Sequence, residues 1–203
     1  MLSSSCTTVA VLGIPFHNVT MDETVTLIEE QIREGGFHQV ATANVDFLKN
    51  AIHDQRLRDT LCSCDMVVPD GMPVVWMSRL IGTPLKERVS GVDLVERLAE
   101  VSARRGYGIF LLGASENHSQ HAAKVLLQRF PELRIVGRYS PESQPLEKMD
   151  HEEILRRIEE AEPEILLVAL GNPKQEEWLA MHRDRLKVPV CIGVGGTLDM
   201  LSG

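Results

Sequence analysis

Residues 164–186 read EILLVALGNPKQEEWLAMHRDRL. After its opening acid, the stretch from Ile165 to Leu170 is apolar at every position. It is short for a helix and lacks the alternation of a strand with one face in water. It predicts a strand buried on both sides, as parallel sheets require. Gly171-Asn172-Pro173 then ends the strand, and Lys174–Leu186 takes up helical spacing. The unit is therefore strand, tight turn, helix.

The same unit recurs outward in both directions. YGIFLLG (107–113) feeds the helical ENHSQHAAKVLLQRF (116–130), and LRIVGRY (133–139) precedes a polar loop and a helix around EEILRRIEEA (152–161). VPVCIGVGG (188–196) supplies a strand downstream. Nearer the N-terminus, TVAVLGI (8–14) is expected to be one strand, and Thr20-Met-Asp-Glu23 has the form of a capping box opening ETVTLIEEQI. HQVATAN (38–44) and DMVVP (65–69) are strands around a helical stretch, VDFLKNAIHDQRLRDTLC, that breaks near Asp54. MPVVWMSRLIG (72–82) and VDLVERLAEVSARRG (92–106) complete the set of helices. Strands and helices alternating over short connections predict an α/β, Rossmann-like fold, with a mainly parallel sheet and helices on both faces. Residues 1–203 form one expected domain, with no repeat or linker. Trp76, Met77 and Leu80 share a helix and are expected in the core, with a subunit face of a homo-oligomer as the alternative.

Composition narrows the function. The 203 residues are 43% apolar and 25% charged, enough for a large core without disulfides. Cys6, Cys62, Cys64 and Cys191 show no framework spacing, which favours a reducing, cytoplasmic setting. Cys62-Ser-Cys64 lacks a partner pair for metal, and His118 with His121 lacks a third ligand, so no metal is expected. The opening MLSSSCTTVAVLG has no basic leader region, and no run reaches membrane-spanning length. A formal net charge of −8 argues against nucleic acid as a partner. There is no Gly-x-Gly-x-x-Gly after the first strand, no Walker A loop, no His-Glu-x-x-His, no Gly-x-Ser-x-Gly and no Asp-x-Asp.

Sheets of this kind bind ligands beyond the carboxyl ends of their strands. The residues there are Thr42 and Asn44; Asp70 and Gly71; Gly113, Ala114 and Ser115; Gly171 to Gln175; and Gly193 to Thr197. Glycine-rich turns before helices, as in LLGASE and GVGGT, suit phosphate oxygens, and they serve equally well as tight turns. Lys174 offers a charge for phosphate and Gln175 an amide for sugar hydroxyls, unless both belong to a solvated first turn. Asp70 is either the cap of its helix or a general base in a pocket. Arg88 is a candidate to neutralise a leaving diphosphate, while Ser90 or Asp93 caps the helix that follows.

In order, TAN, VPDGMPVVW, ERVSGVDL, LLGA, GNPKQEEW and GVGGTLD resemble the WecG/TagA/CpsF glycosyltransferase family (glycosyltransferase family 26), from about Val9 to Gly203. The resemblance implies an inverting, metal-independent enzyme without a cofactor. Such an enzyme moves an N-acetylmannosamine-type sugar from a UDP donor to a polyprenyl-diphosphate-linked sugar, on the route to teichoic acid or cell-surface polysaccharide. It implies catalytic roles for Asp70, the base, and for Thr42, Asn44, Arg88 and Gln175. It places Gly71, Gly113, Ala114, Asn172, Lys174, Gly195, Gly196 and Asp199 along the substrates. Family members usually continue into a basic, helical C-terminal tail that approaches the membrane. Peripheral association with the inner face of the cytoplasmic membrane, through such a tail or a partner, is the matching expectation. A non-catalytic nucleotide-sugar-binding domain is the alternative from another class.

Overall fold

The computed structural model describes residues 7–203; Cys6 and the start of MLSSSC lie outside them. Six parallel strands form one sheet: β3 (His38–Ala43), β4 (Met66–Pro69), β5 (Gly108–Gly113), β6 (Arg134–Tyr139), β7 (Ile165–Ala169) and β8 (Val190–Gly193). Their spatial order is β4-β3-β8-β7-β5-β6. The first two strands stand apart. β1 (Thr8–Val11) and β2 (Ile14–His17) make an antiparallel hairpin, so the single strand expected over Thr8–Ile14 folds back on itself. Its turn residues, Leu12 and Gly13, have φ of 50° and 83°, two left-handed residues in succession as a two-residue hairpin turn requires. The hairpin leans on edge strand β4, where His17 Nδ1 accepts the Val67 N–H at 3.1 Å. Burial holds the His17 pKa down, which keeps that nitrogen available as an acceptor.

Nine helices cover the sheet among the described residues: α1 (Met21–Glu34), α2 (Val45–His53), α3 (Gln55–Ser63), α4 (Met72–Leu80), α5 (Gly91–Arg105), α6 (Glu116–Arg129), α7 (His151–Ala161), α8 (Lys174–Met181) and α9 (Thr197–Ser202). The capping box at Thr20 and Glu23 is formed on both sides. Asp54 ends α2 and caps α3, which explains the break in that helical stretch. The helix expected to reach Leu186 stops at Met181, and the sequence pattern gave no sign of α9.

Strand parity divides the core. Val40, Ile109, Leu111, Leu167 and Ile192 point to the layer built with α1, α5, α6 and α9. Ala41, Ala43 and Val67 face the hairpin with α2, α3 and α4, whereas Phe110, Leu112, Leu166 and Cys191 face α7 and α8. One expectation about the core fails. Trp76 and Leu80 of α4 are 54% and 86% exposed, and only Met77 of the three packs against buried residues. The helix buries Val74, Val75 and Ser78 instead, so it is apolar on its outward face as well. No helix among the described residues is long and apolar enough to cross a membrane.

Candidate active site

The carboxyl ends of the adjacent strands β4, β3 and β8, together with the start of α5, enclose a cleft of about 420 Å³. Thr42 is the penultimate residue of β3 and Asn44 follows that strand, Asp70 follows β4, Gly195 and Gly196 follow β8, and Arg88 arrives on the loop before α5; all six line the cleft. The strand register makes this meeting unavoidable: Thr42 lies beside Val68, and Ala41 beside Gly193. The Asp70 N–H is held by the Ala43 carbonyl at 3.0 Å and the Val89 N–H by the Pro69 carbonyl at 2.9 Å.

Asp70 does not cap the helix beside it. Gly71 occupies the N-cap of α4 with φ 125° and no side-chain cap bond. Only glycine takes that backbone readily, and it lets the chain turn sharply away from the carboxylate. The Asp70 carboxylate instead lies beside the Gly91 N–H at the start of α5. Burial raises its pKa above the ordinary aspartate value. The Gly91 N–H and the Arg88 charge oppose that rise, and Asp93 adds to it. A partly desolvated carboxylate facing a cleft is what a general base requires.

Three side-chain oxygens converge on Gly91. A Cβ added there would lie 2.7 Å from Thr197 Oγ1, 3.5 Å from Thr42 Oγ1 and 3.6 Å from Asp70 Oδ2. Both Gly91 and Thr197 line the cleft; Thr197 ends the Gly193 to Thr197 stretch expected there, whereas Gly91 escaped the sequence reading. Its signal was the SGVD that begins α5. Gly91→Ala should therefore disturb this corner while sparing the fold. We expect kcat/KM to drop about tenfold or more with a change in Tm of only a few degrees, measured by steady-state assay and thermal melt.

The remaining polar groups are committed to partners. Thr42 Oγ1 donates to the Gly193 carbonyl at 2.9 Å, tying β3 to β8. Asn44 Oδ1 caps α2 by accepting from the Asp46 and Phe47 N–H groups, which leaves its amide N–H donors for the cleft. Arg88 pairs with Asp93 at 2.6 Å, and Asp93 also accepts from Ser90 Oγ at 2.6 Å, while Ser90 is the N-cap of α5. Gln175 is not at the mouth. It is fully buried, donating through Nε2 to Glu176 Oε1 at 2.7 Å and accepting the Gly195 N–H through Oε1 at 3.0 Å. It supports the glycine loop from below. Glu176, also fully buried, has its pKa pushed to about 8 by desolvation, and its Oε2 has no hydrogen-bond partner among the described residues.

Five other expected residues share this edge of the sheet but not the cleft lining. Gly113 has φ 98° and is pressed against the end of β7, where a Cβ would meet the Ala169 carbonyl. Ala114 donates its N–H to the same carbonyl at 2.9 Å. Asn172 lies in the turn before α8, and Lys174 Nζ donates to the Gln144 carbonyl at 3.2 Å. Asp199 is bound by His118 at 2.6 Å. A second cavity, about 520 Å³, lies at the opposite edge of the sheet before β7 and β8 and contains none of the expected residues. No group of three His, Cys, Asp or Glu able to hold a metal occurs among the described residues.

The chain is similar to known proteins over nearly its whole length. The model of the Glycosyl transferase WecG/TagA/CpsF family matches residues 9–203. A relative from Staphylococcus aureus strain MRSA252, named N-acetylglucosaminyldiphosphoundecaprenol N-acetyl-beta-D-mannosaminyltransferase, is 29% identical over 204 residues, covering 98% of this chain and 78% of the relative. The relative of the same name from strain NCTC 8325 is 28% identical over the same shares.

Proposed function

The chain belongs to the glycosyl transferase WecG/TagA/CpsF family, and on that premise we propose that it transfers an N-acetylmannosamine-type sugar from UDP to a sugar carried on a polyprenyl diphosphate. The sugar and the lipid-linked acceptor follow the names of the relatives. UDP as carrier and an inverting, metal-independent course follow the family resemblance. Transfer then takes place where a lipid-linked acceptor is presented, at a membrane surface.

In this reading the acceptor hydroxyl gives its proton to Asp70 as its oxygen attacks the anomeric carbon. The bond from that carbon to the β-phosphate oxygen breaks, and its electron pair leaves with UDP. One in-line displacement inverts the centre and needs one base, with no second carboxylate as nucleophile. The departing diphosphate is met by the Arg88 guanidinium, which exchanges Asp93 for phosphate, and by the N-terminal end of α5. Gln175 acts indirectly, by fixing the Gly195 N–H that edges the cleft.

The observation that carries the reading is the carboxylate of Asp70: it lines the cleft, is partly desolvated, and is free of the capping duty its position suggested. The test is transfer from UDP-N-acetylmannosamine to an N-acetylglucosamine linked to a short-chain lipid diphosphate, with EDTA present. Formation of a β-linked disaccharide and UDP is expected. UDP binding by calorimetry without any transfer would reduce the chain to a nucleotide-sugar-binding module, and transfer abolished by EDTA would remove the metal-independent course.

A further inference from the structure

We propose that the outward face of α4 and the cleft behind it bind the isoprenyl diphosphate portion of the acceptor, the diphosphate beside Arg79 and the isoprenoid along Met72, Trp76 and Leu80. This rests on the transferase reading above, which calls for a lipid-linked acceptor next to Asp70.

The helix is built for an apolar, anionic ligand. Met72, Trp76 and Leu80 recur at every fourth residue, so they stack along one side of α4, and they are 38%, 54% and 86% exposed. Arg79 falls on the same side, about 20° from Met72 at 100° per residue. A cleft of about 520 Å³ opens along that edge, with Met72 and Val75 on one wall and Arg79, Lys86, Arg88 and Arg97 around it. It shares Arg88 and Asp93 with the Asp70 cleft, so a chain lying in one reaches directly into the other.

Charge favours an anion there. The chain has 29 Asp and Glu residues, yet residues 71–86 contain none and carry Arg79 and Lys86. The two carboxylates in the lining, Glu87 and Asp93, are occupied: Glu87 accepts the Met21 N–H at the start of α1, and Asp93 is held by Arg88 and Ser90. Lys86 pairs with Glu23, and Arg97 with Asp22 and Glu100, whereas Arg79 forms no ion pair among the described residues. An unpaired guanidinium between an apolar stripe and Arg88 fits a diphosphate bonded to a hydrocarbon. Trp76 adds a broad, amphipathic ring of the kind that sits well at the edge of lipid.

The experiment uses Trp76→Ser with Leu80→Ser, both at exposed positions where folding is not at stake, and Arg79→Ala. Farnesyl diphosphate is titrated against the wild type and followed by the emission of Trp76, with the fully buried Trp178 as the internal reference. Transfer is measured in parallel with a long-isoprenoid acceptor and a short water-soluble one. A saturable blue shift that farnesol and inorganic diphosphate each reproduce only weakly is expected. So is a KM for the long acceptor raised about tenfold in the double variant, with the short acceptor and kcat unchanged. Unaltered KM for the long acceptor, or equal loss with both acceptors, would overturn the proposal. Removal of a dimer by the double variant in sedimentation, with lipid kinetics unaltered, would assign the face to a second copy. Farnesyl diphosphate binding in a chain that transfers no sugar would sustain the lipid site and defeat the transferase reading instead.

Discussion

Asp70→Asn is expected to lower kcat by ~10²–10⁴-fold while leaving the affinity for UDP unchanged. The amide keeps the shape and the contact with the Gly91 N–H but cannot take a proton. Because burial raises the Asp70 pKa, wild-type kcat/KM should climb with pH along a limb lying above the ordinary aspartate range near 4. Below that limb the carboxyl is protonated and the base is lost; above it the base is ready. The variant should show a flat profile over the same range. Calorimetry with UDP and a pH series of initial rates check both parts. Loss of UDP affinity in the variant would make Asp70 a donor-site residue and require another base.

The second large effect concerns stability and comes from Glu176. In the unfolded chain this carboxyl has the ordinary glutamate value near 4.5, and in the folded protein burial pushes it up to about 8. Between those values the folded state holds more protons than the unfolded one, so stability is full below about 4.5 and declines as the pH rises towards 8. A difference of this size is equivalent to ~5 kcal/mol at its limit. Glu176→Gln has no proton to lose, keeps an acceptor for Gln175 Nε2, and should be the more stable protein at pH 8 with little advantage at pH 4.5. Urea titrations at several pH values would show this as diverging midpoints. Parallel curves would mean that Glu176 is neutralised or hydrated in a way that costs nothing.

Much of the molecule was open to reading from sequence because its periodicities are strong. Fully apolar runs such as Ile165–Ala169 and Ile109–Leu112 have no solvent face, and earlier in the chain the capping box at Thr20 and the break at Asp54 mark helix starts. The hairpin was hidden because its turn is Leu12-Gly13, where an apolar residue occupies a position normally given to Asn or Asp. The exposed stripe of α4 was hidden for the opposite reason: Val74, Trp76 and Leu80 are all apolar, and nothing in their spacing says which side meets water. In the cleft, Thr42, Asn44, Asp70 and Arg88 were legible because each follows or adjoins a strand end. Gln175 shares that address, yet its side chain turns inward under Gly193, where the absence of a Cβ makes the room. Gly91 needed the fold itself, since its importance lies in how closely it approaches Thr197, Thr42 and Asp70.

The place of β8 has a consequence for how the protein is made. It is the last of the six sheet strands to leave the ribosome, yet it lies between β3 and β7. Until it emerges, nothing joins β4-β3 to β7-β5-β6, and any half-sheet that forms has a bare inner edge ready to pair with an extended segment nearby. Sheet closure therefore waits for β8, and with it the Thr42 to Gly193 hydrogen bond that joins residues 151 positions apart. During that interval the growing chain is most vulnerable to aggregation, and it is then that a chaperone shielding the β3 and β7 edges has the most to contribute.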